Sequence, residues 1–326
     1  MGMQYSDYPA ENEKNFCSHL FVCYSLVETE FGQGAEGLEA PMNKELEMAI
    51  MAAGDLPTIP IVATKVMQMI EMDSITVDDI AKVVTTDPAV AARVLKIANS
   101  AFYGCQRQIQ TISGAIVVLG FNTLRSLVVA ASVKEVYKPF GLTEKMLWDH
   151  SLGAALASRI IATATRKANP EEAFLAGLLH DIGKTIMNSL DPNKFQIVMQ
   201  RCYNEGIFFE EAEESAFTFR HDDVGAMVVK KWNFPESLVT AILYHHRLDF
   251  PPETDHYLIQ LSSVVSLADL FCHRLGIGDR EPLEHLDLAG SKPARLLGLS
   301  PEQVEENYAE YRDTYEKGKA ALTADN

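Results

Sequence analysis

The chain is short of positive charge: 28 Lys and Arg stand against 45 Asp and Glu, a formal net charge of −17. A surface that neutralises a nucleic-acid backbone needs the opposite excess, so nucleic acid is excluded as an expected partner. The stretch "DDIAKVVTTDPAVAARVLKIANS" can be drawn as a helix-turn-helix, but it lacks a basic recognition helix. Cysteine is scarce and unpaired in pattern. The five cysteines (17, 23, 105, 202 and 272) are odd in number and form no CxxC pair, which fits free thiols in a reducing compartment. No apolar run reads as long enough to span a membrane. The opening "MGMQYSDYPAENEKN" lacks the basic start of a secretory signal, and its formal N-myristoylation pattern is too weak to build on. A cytoplasmic protein without membrane contact is expected. Period-two alternation is also missing, which argues against a sheet.

What the sequence does contain is helical punctuation. With 326 residues, 47% hydrophobic and 22% charged, the composition is that of a soluble globular protein with room for two domains. "TVDD" at 76–79 offers a capping Thr with Asp three residues on, and Asp87-Pro88 opens "DPAVAARVLKIANS". Asn169-Pro170 with Glu172, and Ser300-Pro301 with Gln303, repeat the device. The expected class is all-α. Residues 1–45 are poor in caps and are expected to be a loosely ordered extension. A helical subdomain is expected over 46–140, a bundle over 141–290 and a helical tail over 291–326, with "KPFG" at 138–141 dividing the first two blocks.

The second block carries nearly all the histidines. In "NPEEAFLAGLLHDIGK", read as one helix, Leu175, Leu179, Ile182 and Ile186 form an apolar stripe with His180 off it. Gly177 and Gly183 flank the polar pair and are expected to leave space for a ligand, and Lys184 offers a cation one turn from His180. Asp149-His150 precedes another apolar helix, His221 opens "HDDVGAMVVKKW", His245 and His246 close "PESLVTAILYHH", and Asp269 sits in "LIQLSSVVSLADLFC". A buried carboxylate is costly unless it is paired or bound to metal. Each position alone has a bland account, a hydrogen-bonded core histidine or a helix end in water. One shared cause explains the set better: imidazoles and carboxylates on several helices suit a first-row divalent ion such as Fe, Mn, Zn or Ni inside a bundle.

The order His…His-Asp…His…His-His…Asp resembles the metal-binding series of the HD phosphohydrolase superfamily and its HD-GYP branch. "LPTIPIVATKVMQMIE", "IAKVVTTDPAVAARVLKIANSAFYG" and "ISGAIVVLGFNTLRSL" narrow the likeness to the HDOD domain, the HD-related output domain of bacterial signalling proteins. "LWDHS", "EEAFLAGLLHDIGK", "HDDVGAMVVKKWNFP" and "ILYHH" continue it, so that the likeness covers roughly residues 50 to 275. The resemblance implies a multi-helix HD-like bundle with an N-terminal helical subdomain, in a bacterial signal-transduction or regulatory protein. It implies His150, His180, Asp181, His221, His245, His246 and Asp269 as metal ligands, with Asp181 bridging two ions. Lys184 would contact a phosphate, and Lys184 and Asp181 would be the catalytic residues if the protein is an enzyme. Two departures weigh against cyclic di-GMP hydrolysis: "RLDFPPE" after the His pair lacks the GYP loop, and Met146 stands one turn before His150, where three-metal members carry Glu.

The expected function is therefore a regulatory module that binds a signalling protein supplied in trans, with a bound structural or sensing metal. A metal-dependent phosphohydrolase is the alternative, and a homo-oligomer is compatible with either. "MNKELEMAIMAAGDLPTIP" leads from Met42 straight into the recognisable domain, so Met42 is expected as the true start. A chain beginning at Met42 should melt at the temperature of the full chain; a large drop would place the extension in the core.

Overall fold

The computed structural model of the protein describes residues 46, 61–69, 75–99, 103, 108–137, 142–279 and 281–323. The expectations for 1–45, the Met42 start and the "KPFG" break lie outside these residues. Every regular element among them is a helix, as the missing period-two pattern predicts. The first block consists of α1 (Ile61–Met69), α2 (Val77–Thr85), α3 (Pro88–Ala98), α4 (Ile112–Leu119) and α5 (Phe121–Tyr137). The second holds α6 (Leu142–Thr165), α7 (Pro170–Leu179), α8 (Ile182–Leu190), α9 (Pro192–Glu205), α10 (Phe209–Phe217), α11 (His221–Lys231), α12 (Glu236–Tyr244) and α13 (His256–Leu275). A short α14 (Lys292–Leu296) and a long α15 (Pro301–Thr323) follow.

The caps act as the sequence predicts. Thr76 and Asp79 form a capping box, and Asp87 caps the helix that Pro88 begins. Asn169 accepts from the N–H groups of Glu171 and Glu172, and Ser300 and Gln303 cap each other. Glu172 itself does not close a box; its carboxylate accepts from Ser237 and Tyr257 and ties α7 to α12 and α13. The two blocks meet at a polar junction where Glu171 of α7 accepts from Thr123 of α5 (3.1 Å) and pairs with Arg159 of α6 (3.0 Å).

Three local expectations need correction. The helix opened by Pro170 does not run through the His-Asp pair: α7 ends at Leu179, His180 and Asp181 turn, and α8 restarts at Ile182. The break turns both polar side chains of the pair inward. Asp149-His150 does not precede a helix but lies well inside α6. And α13 is long and apolar enough to pass for a membrane span, although most of it is buried in the bundle. Its apolar faces pack against α6, α7 and α12, which is why a core helix mimics a span.

Gly177 and Gly183 serve close packing instead of leaving room for a ligand. A Cβ on Gly177 would lie 2.6 Å from the Ala154 carbonyl oxygen of α6, and one on Gly183 only 1.9 Å from the His221 carbonyl oxygen. The N-terminus of α8 thus lies directly against that of α11, bringing Asp181 and His221 together. Asp222 reinforces the same place, its buried carboxylate accepting from Arg247 (3.1 Å twice) and Arg220 (2.9 Å). Gly183→Ala sets side chain against backbone, so the helices must separate. We expect a loss of about 1–3 kcal/mol, or roughly 2–4 °C per kcal/mol for domains of 150–250 residues. An unchanged melting temperature would show that α8 and α11 are not fixed in this register.

Candidate metal centre

All seven histidine and aspartate side chains singled out in the sequence converge. They fall into two groups that share Asp181. In one, ligand atoms of Asp181, His221, His245 and His246 lie within 4.8 Å of one another; in the other, those of His150, His180 and Asp181 do. Asp181 turns one oxygen to each group. Its Oδ2 is 3.5 Å from both His150 Nε2 and His180 Nε2, and its Oδ1 is 3.2 Å from His221 Nε2 and 4.0 Å from His245 Nε2. Asp269 adjoins the His150–His180 group, with Oδ1 3.0 Å from His150 Nε2 and 3.7 Å from His180 Nε2.

The histidines share one orientation. Nδ1 of His150 donates to the Ile277 carbonyl (2.8 Å), that of His180 to Gly177 (2.7 Å) and that of His245 to Ile242 (2.6 Å). A carbonyl can only accept, so these three rings carry hydrogen on Nδ1 and, when neutral, aim the Nε2 lone pair at the centre. Nδ1 of His221 donates to Glu213 (2.7 Å) and that of His246 to Glu210 (2.9 Å). His221 and His246 then face each other Nε2 to Nε2 at 3.1 Å. Outer partners of this kind fix the tautomer and raise the basicity of a metal-binding imidazole. The buried His180 Nε2 and His245 Nε2 have no hydrogen-bond partner. Atoms of that kind are rarely left unsatisfied in a protein interior. The donor set fits a divalent ion on both sides of Asp181.

Electrostatics follow from burial. Burial pushes His180 and His245 below the ordinary imidazole range, favouring neutral rings. For Asp181 burial acts upward, but His180, Lys184 and His221 outweigh it and hold the carboxyl well below its usual value. For His221 burial acts downward, but the Glu213 carboxylate outweighs it and lifts the ring to about 10. Lys184 is 5% exposed, and its Nζ donates to Asp181 Oδ2 (2.7 Å) and lies 4.3 Å over the Phe209 ring. It is thus engaged within the protein.

Four partners escaped the sequence reading. Glu210 and Glu213 lie three apart on α10, the helical spacing that puts both on one face, but "FEEAEESAF" reads as a solvated acidic helix. His273 follows Asp269 by one turn of α13, with Nε2 3.3 Å from Asp269 Oδ1, and Asp279 accepts from its Nδ1 (2.7 Å). The i, i+4 spacing from Asp269 was the available signal.

The metal-free protein offers a check on His221. Its raised value means that the protonated ring stabilises the fold below about 6.5, the ordinary imidazole value, and that this contribution is lost as pH rises toward about 10. Glu213→Gln removes the group that lifts it, so this slope of stability should flatten. A slope unchanged from wild type would contradict the assignment.

Comparison with known proteins places this geometry in a family. A profile for the HDOD domain matches residues 56–248. An uncharacterised protein of Treponema pallidum is 25% identical over 217 residues, which are 66% of this chain; the chain spans 42% of that curated relative's length. An HDOD domain protein of unknown function from Geobacter sulfurreducens is similar in structure, with a TM-score of 0.74 and 27% identity over 86% of this chain and 96% of its own. A Shewanella amazonensis protein provisionally named as a phosphohydrolase shares the fold at a TM-score of 0.66 and 23% identity, covering 84% of this chain and 96% of its own. So does a Marinobacter aquaeolei protein provisionally named for signal transduction, at 0.65 and 18%, covering 87% and 67%. On the profile match across more than half its length, with the HD-type histidines and aspartates gathered in one centre, the chain belongs to the HDOD domain family.

Proposed function

We propose that the chain is a regulatory module of bacterial signal transduction, acting in the cytoplasm by binding a signalling protein supplied in trans. In this reading Asp181 would help to hold a divalent ion on each of its sides, with His150, His180 and Asp269 on one and His221, His245 and His246 on the other. The ions serve a structural or sensing role; Fe, Mn, Zn and Ni all suit this mixture of imidazole and carboxylate. The observation that carries the reading is closure. His180, His221 and His245 are 0% exposed, Asp181 1% and Asp269 and His150 4%, His246 reaches the edge with 16% of its side chain exposed, and the ammonium beside them, Lys184, is spent on Asp181. A phosphodiester must be gripped and oriented to react, and orientation supplies as much as roughly 7–11 kcal/mol of barrier reduction. Among the described residues of this centre, no cation is left free for such a grip.

One observation favours the phosphohydrolase alternative: the donor set is complete, and the fold is shared with the Shewanella protein that carries that name. A bound divalent ion there would lower the pKa of a water and make it a nucleophile at neutral pH. Lys184 would then have to leave Asp181 to reach a phosphate. Metal-loaded wild type and Asp181→Ala, assayed on cyclic di-GMP and on a generic phosphodiester, decide between the two. We expect no turnover by either protein, and a rise in melting temperature on metal addition for wild type alone. Metal-dependent turnover by wild type that Asp181→Ala abolishes would establish the enzyme.

A further inference from the structure

The turn after α13 lies beyond the residues matched by the family profile, yet it touches the centre twice. The Ile277 carbonyl accepts from His150 Nδ1, and Asp279 Oδ2 accepts from His273 Nδ1. Gly276 and Gly278 take φ of +74° and +85°, backbone that strains any side chain, and a Cβ on Gly278 would stand 2.6 Å from His150 Cβ. The turn is therefore pressed onto His150. It carries Asp279 to the one histidine of this cluster that the family series does not include.

His273 repeats, on the Asp269 side, the arrangement of His246 on the other. Each has Nδ1 on a carboxylate: Glu210 at 2.9 Å for His246, Asp279 at 2.7 Å for His273. Each has Nε2 turned toward the centre, and their side chains are 16% and 17% exposed where the other imidazoles are sealed. Ligand atoms of His150, Asp269 and His273 lie within 4.8 Å of one another. The two contacts of His273 differ in kind. At 2.7 Å the Nδ1 contact is a short charge-assisted hydrogen bond, whereas Nε2 and Asp269 Oδ1 form a looser ion pair at 3.3 Å. A separation of 3.3 Å is within the span of two ligand atoms on one ion with bonds of about 2.0–2.2 Å.

We propose that His273 Nε2 is a further ligand of the divalent ion on the His150–Asp269 side, and that Asp279 is its positioning residue. This rests on the two-ion reading above and adds to it: the ion on that side takes one imidazole from the solvent edge, supplied by a segment outside the matched domain. The side thereby gains the same pairing of sealed and edge imidazoles that His245 and His246 give the other.

Co(II) is the probe. The full chain, stripped of metal, is titrated against a competing chelator while its visible absorption is followed, for wild type, His273→Ala, His273→Gln and Asp279→Asn. Melting of each metal-free protein confirms folding. Wild type should bind two ions; His273→Ala and His273→Gln should weaken one of them by more than tenfold, leave the other unchanged and alter the Co(II) spectrum. Asp279→Asn should weaken the same ion by about tenfold, the low end for the loss of an outer partner. Folded variants with wild-type affinity and spectrum would overturn the His273 assignment and leave the two-ion reading standing. Failure of wild type to bind Co(II) would remove that reading, and the inference with it.

Discussion

A carboxylate sealed in the middle of a helical bundle is the constraint on which the rest depends. Asp181 is 1% exposed and stays ionised, and an isolated charge in that position would be prohibitively costly. Lys184 answers the charge at Oδ2 and His221, lifted by Glu213, answers it at Oδ1, while His150, His180 and His245 turn Nε2 toward the same two oxygens. These donors come from α6, α8, α11 and the ends of α7 and α12, so the charge holds together elements far apart in sequence. Replacing such a group without its partners would strand several polar atoms at once, each at about 1–3 kcal/mol.

The architecture around it keeps each imidazole in one tautomer. Three rings are fixed by carbonyls of the backbone, and two by carboxylates of α10, which lies over the centre. Close packing makes this possible: glycines at 177 and 183 let α7 and α8 approach α6 and α11 to backbone contact. Support extends past the matched domain. On α15 Tyr311 reaches the Cys272 thiol at 3.1 Å, beside His273 and one turn from Asp269, so the C-terminal helix backs the elements that carry His150 and Asp269.

Much of this was readable in the sequence because its signals are local. Capping residues such as Thr76, Asp87 and Asn169 announce helices by their own hydrogen bonds, and polar residues on apolar helices mark the centre by their cost. What escaped depends on tertiary approach. The turn at His180-Asp181 carries no proline, so an unbroken stripe hid it. The roles of Gly177 and Gly183 are set by α6 and α11, which no local window contains. Glu210, Glu213 and Asp279 read as ordinary surface acids until the fold brings His246, His221 and His273 to them. The apolar residues of α13 imitate a membrane span because a core helix meets protein on most of its faces.

The central claim is that the inward-facing imidazole nitrogens and carboxylate oxygens around Asp181 are metal ligands. Elemental analysis of the purified full chain for Fe, Mn, Zn and Ni, before and after incubation with each ion and removal of excess, tests it most directly. The account predicts two divalent ions per chain. A chain that holds none under either condition, while folded, would contradict it.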